Sequence, residues 1–305
     1  MPYATRKQLL RFAQDAIRAY RAGDACPVMP SSWAGSKKWP EAYTKLQEFW
    51  AGELGYKVFA KGNDKLPFWA FSTLPIITCP GMGECGVTPT GKFGYCYSLK
   101  AFRYPHAFMR QLVNTLRLIS PAGMRQLTNA FYSLPIGATV RLYVDGDIDS
   151  KATMRFWFGL ISTRQDMPVY GYSKSWQLFL DWHDSGRQFP PNYILNLSGG
   201  SKYDGSKLER MRRLPIVRGH DSNIAGAGEF LAFKSSVKMP AGETSAEIKS
   251  ASNWAAYGDS LRAAAAAAGM PKIWVCPGKC GDCMGNGKHA CGAAEISLPI
   301  VIGLH

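Results

Sequence analysis

The sequence predicts an α/β protein, a complete or partial (β/α) barrel preceded by an N-terminal helical extension. Its first 65 residues carry helical periodicity alone, whereas from residue 66 onward short β-rich runs alternate with helix-like ones. Residues that carry chemistry fall directly after the β-rich runs, where the βα loops of a barrel converge. The expected organisation is a helical extension over 1–65 and one barrel-like domain over 66–305 that ends in a cysteine cluster.

In the extension, "TRKQLLRFAQDAIRAYRAGD" reads as a helix. Thr5 caps it, Leu9, Leu10, Ala13, Ile17 and Tyr20 share a side, and Gly23 stops it. A second helix is expected in "PEAYTKLQEFWAGELG". The β-rich runs are "FWAFSTLPI", "TVRLYVDGDI", "PVYGYSKSW", "NYILNLSGG", "LPIVRGHD", "EFLAFKSS" and "KIWVCPG". Between them lie helix-like stretches, "HAFMRQLVNTLRLI", "KATMRFWFGLIS", "SKLERMRRL" and "SNWAAYGDSLRAAAAAAG". Alternation of this kind argues for βα units and a parallel sheet.

The chain has 305 residues, 46% of them hydrophobic, enough for an ordinary core without covalent staples. Its alanine run is too short and too weakly apolar for a membrane helix, and no secretory leader pattern opens the sequence, so the expectation is a soluble cytoplasmic protein with no membrane partner. Net charge is +14, which attracts phosphate backbones or another polyanion and makes nucleic acid a candidate partner. Arg6, Lys7, Arg11, Arg18 and Arg21 on the first helix form a candidate contact face, and a solvated helix surface explains them as well. Oligomeric state is not readable.

Of eight cysteines, seven sit in two glycine-rich clusters. Cys79, Cys85 and Cys96 are spaced C-x5-C-x10-C, which leaves a coordination position open on a metal that three thiolates would hold. Cys276, Cys280, Cys283 and Cys291 would close a second site. Thiols clustered this way favour metal over disulfides, and iron–sulfur clusters over zinc, with zinc as the alternative. A single site drawing on both loops is also compatible with the spacing. Isolated Cys26 reads as a small packing residue.

"DGDIDS" supplies Asp145 and Asp147, which could hold Mg²⁺ or Mn²⁺ or a ligand amine, while Asp149 and Ser150 suit a helix cap. Lys174 in "GYSKS" could meet a carboxylate or phosphate. Ser198 and Gly199 in "NLSGGS" could offer donors to an anion at the next helix start. His220 and Asp221 are weaker candidates for acid–base work.

A three-cysteine loop after the first barrel strand, with an aromatic directly before its last cysteine (Tyr95, Cys96), resembles the radical SAM architecture. That resemblance implies a [4Fe–4S] cluster on the three cysteines, S-adenosylmethionine on its open iron, and a methionine-amine site at Asp145, Gly146 and Asp147. With the residues read above, the candidate cofactor-binding residues are Tyr95, Gly146, Ser198 and Gly199, and the candidate catalytic ones are Asp145, Asp147 and Lys174. The superfamily's usual C-x3-C-x2-C spacing stands instead at the far end of the chain, where Asp282 precedes Cys283.

A narrower likeness is to the gene product 88 domain of phages and other mobile elements, carried by "AFSTLPIITCPG…YCY", the "VRL" strand with its following "GD", the "GYSKS" strand and the terminal cysteines. It implies coverage of roughly residues 66–300 and, for a phage-encoded chain, the host cytoplasm. The expectation is an iron–sulfur protein of a mobile element, a radical SAM-like enzyme acting on nucleic acid or a nucleotide, with one or two clusters. The alternatives are a nucleic-acid-binding protein with structural metal sites, and a metal-dependent nuclease built on Asp145 and Asp147.

Overall fold

The computed structural model describes residues 4–61, 68–86, 93–94, 96–203, 205–278, 283–284 and 289–304. Tyr95 and Cys280 lie outside the described residues. Helices α1 (Arg6–Ala22) and α2 (Lys38–Trp50) open the chain, followed by β1 (Ala60–Lys61) and β2 (Trp69–Ala70). Next come α3 (Pro105–Leu118), α4 (Pro121–Tyr132), β3 (Val140–Leu142), α5 (Lys151–Thr163), β4 (Val169–Ser173), α6 (Trp176–Asp184), β5 (Tyr193–Ser198) and α7 (Gly205–Arg212). The chain ends with β6 (Glu229–Lys234), α8 (Ser245–Ser250), α9 (Trp254–Ala267), β7 (Trp274–Val275) and β8 (Ile300–Leu304).

These strands form one eight-stranded sheet in the order β1-β2-β3-β4-β5-β6-β8-β7. Every pairing is parallel except β1 against β2. The sheet is open, with β1 and β7 at its edges, and among the described residues no ladder closes it into a barrel. The terminal cysteine loop follows β7, an edge strand, so it is not brought beside β2 by ring closure. Parallel pairing still gathers the carboxyl ends of β2 to β5 along one rim, which is where ligands bind in open α/β sheets.

Strand alternation divides the sheet into two buried faces. On one, Val140 and Leu142 of β3, Val169 of β4 and Leu195 and Leu197 of β5 pack with Phe131, Trp157, Phe158 and Phe179 from the crossover helices. On the other, Tyr170 lies 4.8 Å from His289 between ring centroids, Tyr172 lies 5.0 Å from Phe230, and the segment 289–300 covers them. A third core joins α1 and α2 to α3: Leu9, Phe12 and Ile17 pack with Trp33, Trp39, Leu46, Leu112 and Leu116. The N-terminal helices thus share their apolar face with the element that follows the first cysteine loop.

Local signals explain several helix starts and the end of α1. Thr5 and Gln8 form a reciprocal capping box on α1, and Gly23 ends it at φ +75°. Ser150 caps α5 by accepting from Thr153 N at 3.1 Å, as expected. Helix α4 is not among the expected elements; its Ser120–Pro121 start is an N-cap followed by proline at the first helical position.

"LPIVRGHD" is expected as a strand and is instead a turn segment that touches β5 through one bridge, Leu195 to Val217. Leu195 N donates to Ile216 O at 2.7 Å and Arg218 N to Leu195 O at 3.1 Å. The reason is Arg218, which is 1% exposed. Its guanidinium donates to Asn196 Oδ1 at 2.9 Å, Leu298 O at 2.7 Å, Glu229 O at 3.2 Å and Ile296 O, so it ties β5, β6 and the approach to β8 together.

Removing those donors leaves buried carbonyls unsatisfied. Arg218→Met should therefore cost on the order of 3 kcal/mol in urea unfolding, while Arg210→Met, which breaks a half-exposed pair with Asp184, should cost at most about 1 kcal/mol. Equal effects would deny Arg218 its organising role. Arg218→Lys should not restore stability, since an ammonium cannot replace the planar fork.

Candidate functional site

The site grows from the way the chain leaves β2. The ladder with β3 continues past the strand ends: Phe71 N donates to Arg141 O at 3.0 Å, Val144 N to Phe71 O at 3.0 Å and Thr73 N to Asp145 O at 3.0 Å. A tight turn follows, in which the Thr78 hydroxyl and amide both donate to Leu74 O, at 2.7 and 3.2 Å. Two non-glycine residues among those described have positive φ, Ile76 at 71° and Tyr143 at 56°. Both lie in the loops at this rim. A β-branched or bulky residue in that region stores strain, and such strain gathers at functional sites.

The cysteine loop folds back on itself. Met82 N donates to Cys79 O at 3.1 Å, and on the return limb Gly94 N donates to Gly86 O at 2.6 Å and Cys96 N to Cys85 O at 2.8 Å, which sets Cys96 beside Cys85. None of the seven described cysteines is in a disulfide. Burial pushes the Cys79 thiol up strongly, and the charges of Asp147, Cys96 and Cys85 push it in the same direction. Burial also raises Cys96, only partly offset by the Leu99 amide and the Lys174 ammonium. Burial thus favours the neutral thiol at Cys79 and Cys96 unless a cation holds the thiolate.

Asp147 fastens this loop to its neighbours. It is 4% exposed; Oδ1 accepts from Ile148 N and Ser173 Oγ, each at 2.8 Å, and Oδ2 accepts from Lys174 N at 2.8 Å. Its own amide donates to Thr78 Oγ1 at 3.4 Å, and Thr78 Oγ1 lies 2.9 Å from Thr73 Oγ1. Burial pushes its carboxyl up, and those donors offset the rise in part. Between the two aspartates Gly146 sits at φ +79°, where a Cβ would come within 2.1 Å of Thr73 Oγ1. The residue is glycine because the threonine pair needs that space. With these donors internal, Asp147 is a clamp between β3, β4 and the cysteine loop.

Asp145 differs. It is half-buried, and Oδ2 accepts from Gln111 Nε2 at 2.9 Å. Burial pushes its carboxyl up, while the Ser98 and Ser72 hydroxyls and the Arg141 and Arg110 charges pull it back. Tyr97, directly after Cys96, donates to Val144 O at 2.6 Å, so the cysteine loop and the Asp145 loop meet edge to edge.

Lys174 Nζ donates to Ser198 Oγ at 2.8 Å, which brings those two candidates together. Gly199 is different from expectation: its amide donates to Phe230 O at 3.0 Å within the sheet and is not offered to an anion, and α7 begins only at Gly205. The loop after β5 instead staples the site. Ser201 Oγ donates to Gly81 O at 3.2 Å and Lys174 O at 3.1 Å, and Lys202 N to Gly81 O at 3.1 Å. Gly81 is forced by this contact, because a Cβ there would stand 1.6 Å from Lys174 O. His220 and Asp221 are exposed on the turn segment and do not join the site.

The second thiol set lies on the far face of the sheet. Cys283 is buried with Ala290 and Ile300, and Cys276 and Cys291 pack beside them. Ala290 N points at Cys283 Sγ at 3.3 Å and Gly278 N at Cys276 Sγ at 3.4 Å, and the Cys291 carbonyl accepts from Asn196 Nδ2 at 2.8 Å. His289 was not expected here; burial pushes its imidazole down, toward the neutral form that ligates metals. Cys26 is half-buried against the helical core, in keeping with a packing role.

Among the described residues no three His, Cys, Asp or Glu side chains stand ready-made around a metal position. The donor set at the first loop nevertheless suits a thiolate-ligated group: the three cysteines lie within one another's field and the Lys174 ammonium offsets negative charge at Cys96. Ser173, Ser201, Thr73, Thr78 and Gln111 were not expected as parts of the site. Only Ser173 had a sequence signal, its place beside Lys174 at a strand end.

An open parallel sheet with a thiol-rich loop on its carboxyl rim defines a class of α/β protein with a polar, strained rim site. The particular family is given by comparison: residues 41–241 match the gene product 88 family model, and the chain belongs to that phage and mobile-element family. The match begins inside α2 and ends before the second cysteine set, so it includes Cys79, Cys85 and Cys96 and leaves out Cys276 to Cys291. No curated protein and no solved structure matches the chain.

Gly81→Ala should destabilise the protein by about 1–3 kcal/mol through overpacking. Gly159→Ala, in α5 with open space around it and an ordinary φ, should be neutral or stabilising by up to about 1 kcal/mol. Thermal melts of the two variants decide whether the rim is as tightly closed as the backbone contacts indicate.

The raised Asp145 carboxyl gives a pH signature. Its folded value lies above the ordinary 3.8, so the folded state binds the proton more tightly and wild-type stability falls as pH rises from 3.8 through the folded value. Asp145→Asn removes that fall. Measured by urea midpoints, the variant should gain on wild type between acidic and neutral pH; a constant difference would show that the carboxyl is not perturbed.

Proposed function

We propose that this chain is an iron–sulfur protein whose first loop binds a [4Fe–4S] cluster through Cys79, Cys85 and Cys96, acting as a radical SAM-like enzyme on a nucleic acid or nucleotide in the host cytoplasm. The observation that carries the reading is the placement of Cys79, Cys85 and Cys96 in one folded-back loop, Cys96 N donating to Cys85 O at 2.8 Å, on the carboxyl rim of a parallel sheet. Zinc in these loops is the competing occupant.

A cluster with an open iron supplies one-electron chemistry to bound S-adenosylmethionine. The chain's own residues hold and orient. Asp147 fixes the loop through three internal donors and contacts no ligand. Asp145, half-exposed and turned toward the same rim by Gln111, is the carboxylate that meets the methionine amine. Lys174, kept in place by Ser198, balances thiolate charge and attracts a phosphate-bearing substrate. Cys276, Cys283 and Cys291 on the other face of the sheet, together with Cys280 outside the described residues, would hold a second cluster, for electron transfer or for structure.

Burial of Asp147 at 4% exposure and its three internal donors argue against a nuclease built on paired carboxylates. Both are compatible with a nucleic-acid-binding protein whose metal sites are structural, and the cofactor measurement separates the readings. Anaerobically purified protein should be brown and contain iron and sulfide. Cys96→Ala should lower both contents, while Cys26→Ala should leave them unchanged. S-adenosylmethionine should perturb the spectrum of the reduced cluster in wild type and lose that effect in Asp145→Asn. Stoichiometric zinc without iron would overturn the reading, and an iron–sulfur spectrum indifferent to S-adenosylmethionine would leave a cluster-binding module.

A further inference from the structure

The exposed side of α1 is not bare helix. A groove of about 380 Å³ lies against it, lined on the helix side by Lys7, Leu10, Arg11, Gln14, Asp15 and Arg18 and on the other by Phe93. Phe93 belongs to the cysteine loop: it precedes Gly94, whose amide pairs with Gly86, and stands three residues before Cys96. Basic helix and thiol-bearing loop therefore bound a single groove.

Chemistry selects its occupant. Lys7 and Arg11 are four residues apart and Arg11 and Arg18 seven, so they share one face and repeat along the groove every 6 to 10 Å or so. The acidic lining residue is Asp15, and it is already paired with Arg18. Lys7 and Arg11 are exposed, and the charge left over along this wall is positive. Leu10 and Phe93 are half-buried, each presenting part of its surface to the groove. A row of cations with an aromatic ring opposite suits a chain that carries phosphates on one side and flat π-faces on the other. A duplex keeps its base faces stacked, whereas a single strand can lay one on a ring.

We infer that the groove between α1 and Phe93 binds single-stranded nucleic acid, with phosphates along Lys7 and Arg11 and a base against Phe93, and that it leads the strand to the loop carrying Cys96. This deepens the nucleic-acid part of the reading above; the groove itself does not depend on which metal the cysteines hold.

Fluorescence anisotropy with a labelled oligothymidylate and a blunt duplex of equal length tests it. Wild type should bind the single strand more tightly than the duplex, with log affinity falling linearly in log salt. Lys7→Glu with Arg11→Glu should weaken single-strand binding more than tenfold and flatten the salt slope by roughly 0.7 for each phosphate that is no longer neutralised. Phe93→Ala should cost about 5- to 150-fold, the range for removal of one stacked base, and Phe93→Trp should retain binding. Because Phe93 sits in the cysteine loop, metal and sulfide are measured on each variant, and the Lys7/Arg11 double variant should retain both. Unchanged affinity and slope in the double variant, a preference for duplex, or no binding by wild type at low salt would overturn the groove. Binding that follows the prediction in a protein that contains zinc and no iron would keep the groove and overturn the cofactor reading instead.

Discussion

The buried carboxylate of Asp147 is the constraint on which the rim depends. A charge so enclosed is tolerated only when donors surround it, and here three do, from Ile148, Ser173 and Lys174. Those donors come from the loop after β3, the last residue of β4 and the residue that follows it. The amide of Asp147 reaches Thr78 on the loop after β2, and Ser201 on the loop after β5 bridges Gly81 to Lys174. Four consecutive strand ends are thereby joined through short polar contacts, and the cysteine loop has one way to lie across them. The sheet supplies the rim; the aspartate decides how its loops are arranged.

Close approach of backbones follows from that arrangement. Gly81 lies where Lys174 O leaves no room for a side chain, and Gly146 where the Thr73–Thr78 pair leaves none. Ile76 and Tyr143 hold unfavourable φ values on either side of the same junction. Strain of about 1–3 kcal/mol per residue is ordinary at functional sites and is offset by well-packed surroundings. Tyr143 is buried, and its hydroxyl accepts from Trp157 Nε1 at 3.0 Å, which anchors the strained turn to the helix-covered face.

Much of the fold was legible where the signal was local. The capping box at Thr5, the Ser150 cap and the strand-end position of "GYSKS" need only near neighbours in sequence, and they stand as expected. What was not legible depends on contacts distant in sequence. "LPIVRGHD" has the composition of a strand, but Arg218 ties it down through partners at Asn196, Glu229 and residues 296 to 298. The short β2 and β7 leave the sheet open, although nothing in their composition forbids closure. At the site, "DGD" reads as two equivalent carboxylates; only the folded loops separate a buried Asp147 with three internal donors from a half-exposed Asp145. The serines, threonines and Gln111 that build the clamp are ordinary polar residues in sequence and carry no motif.

The two thiol sets occupy different places, one on the rim and one over the far face beside Tyr170 and Phe230, and the family match covers only the rim set. The rim is also the part that the basic groove reaches. The central claim, that Cys79, Cys85 and Cys96 together hold an iron–sulfur cluster independently of the second set, is tested most directly by iron X-ray absorption on a variant with Cys276, Cys280, Cys283 and Cys291 all replaced by serine. Iron–sulfur scattering with an iron–iron path that survives those replacements is the predicted result. Iron bound only through nitrogen or oxygen, or no iron at all, would contradict the account.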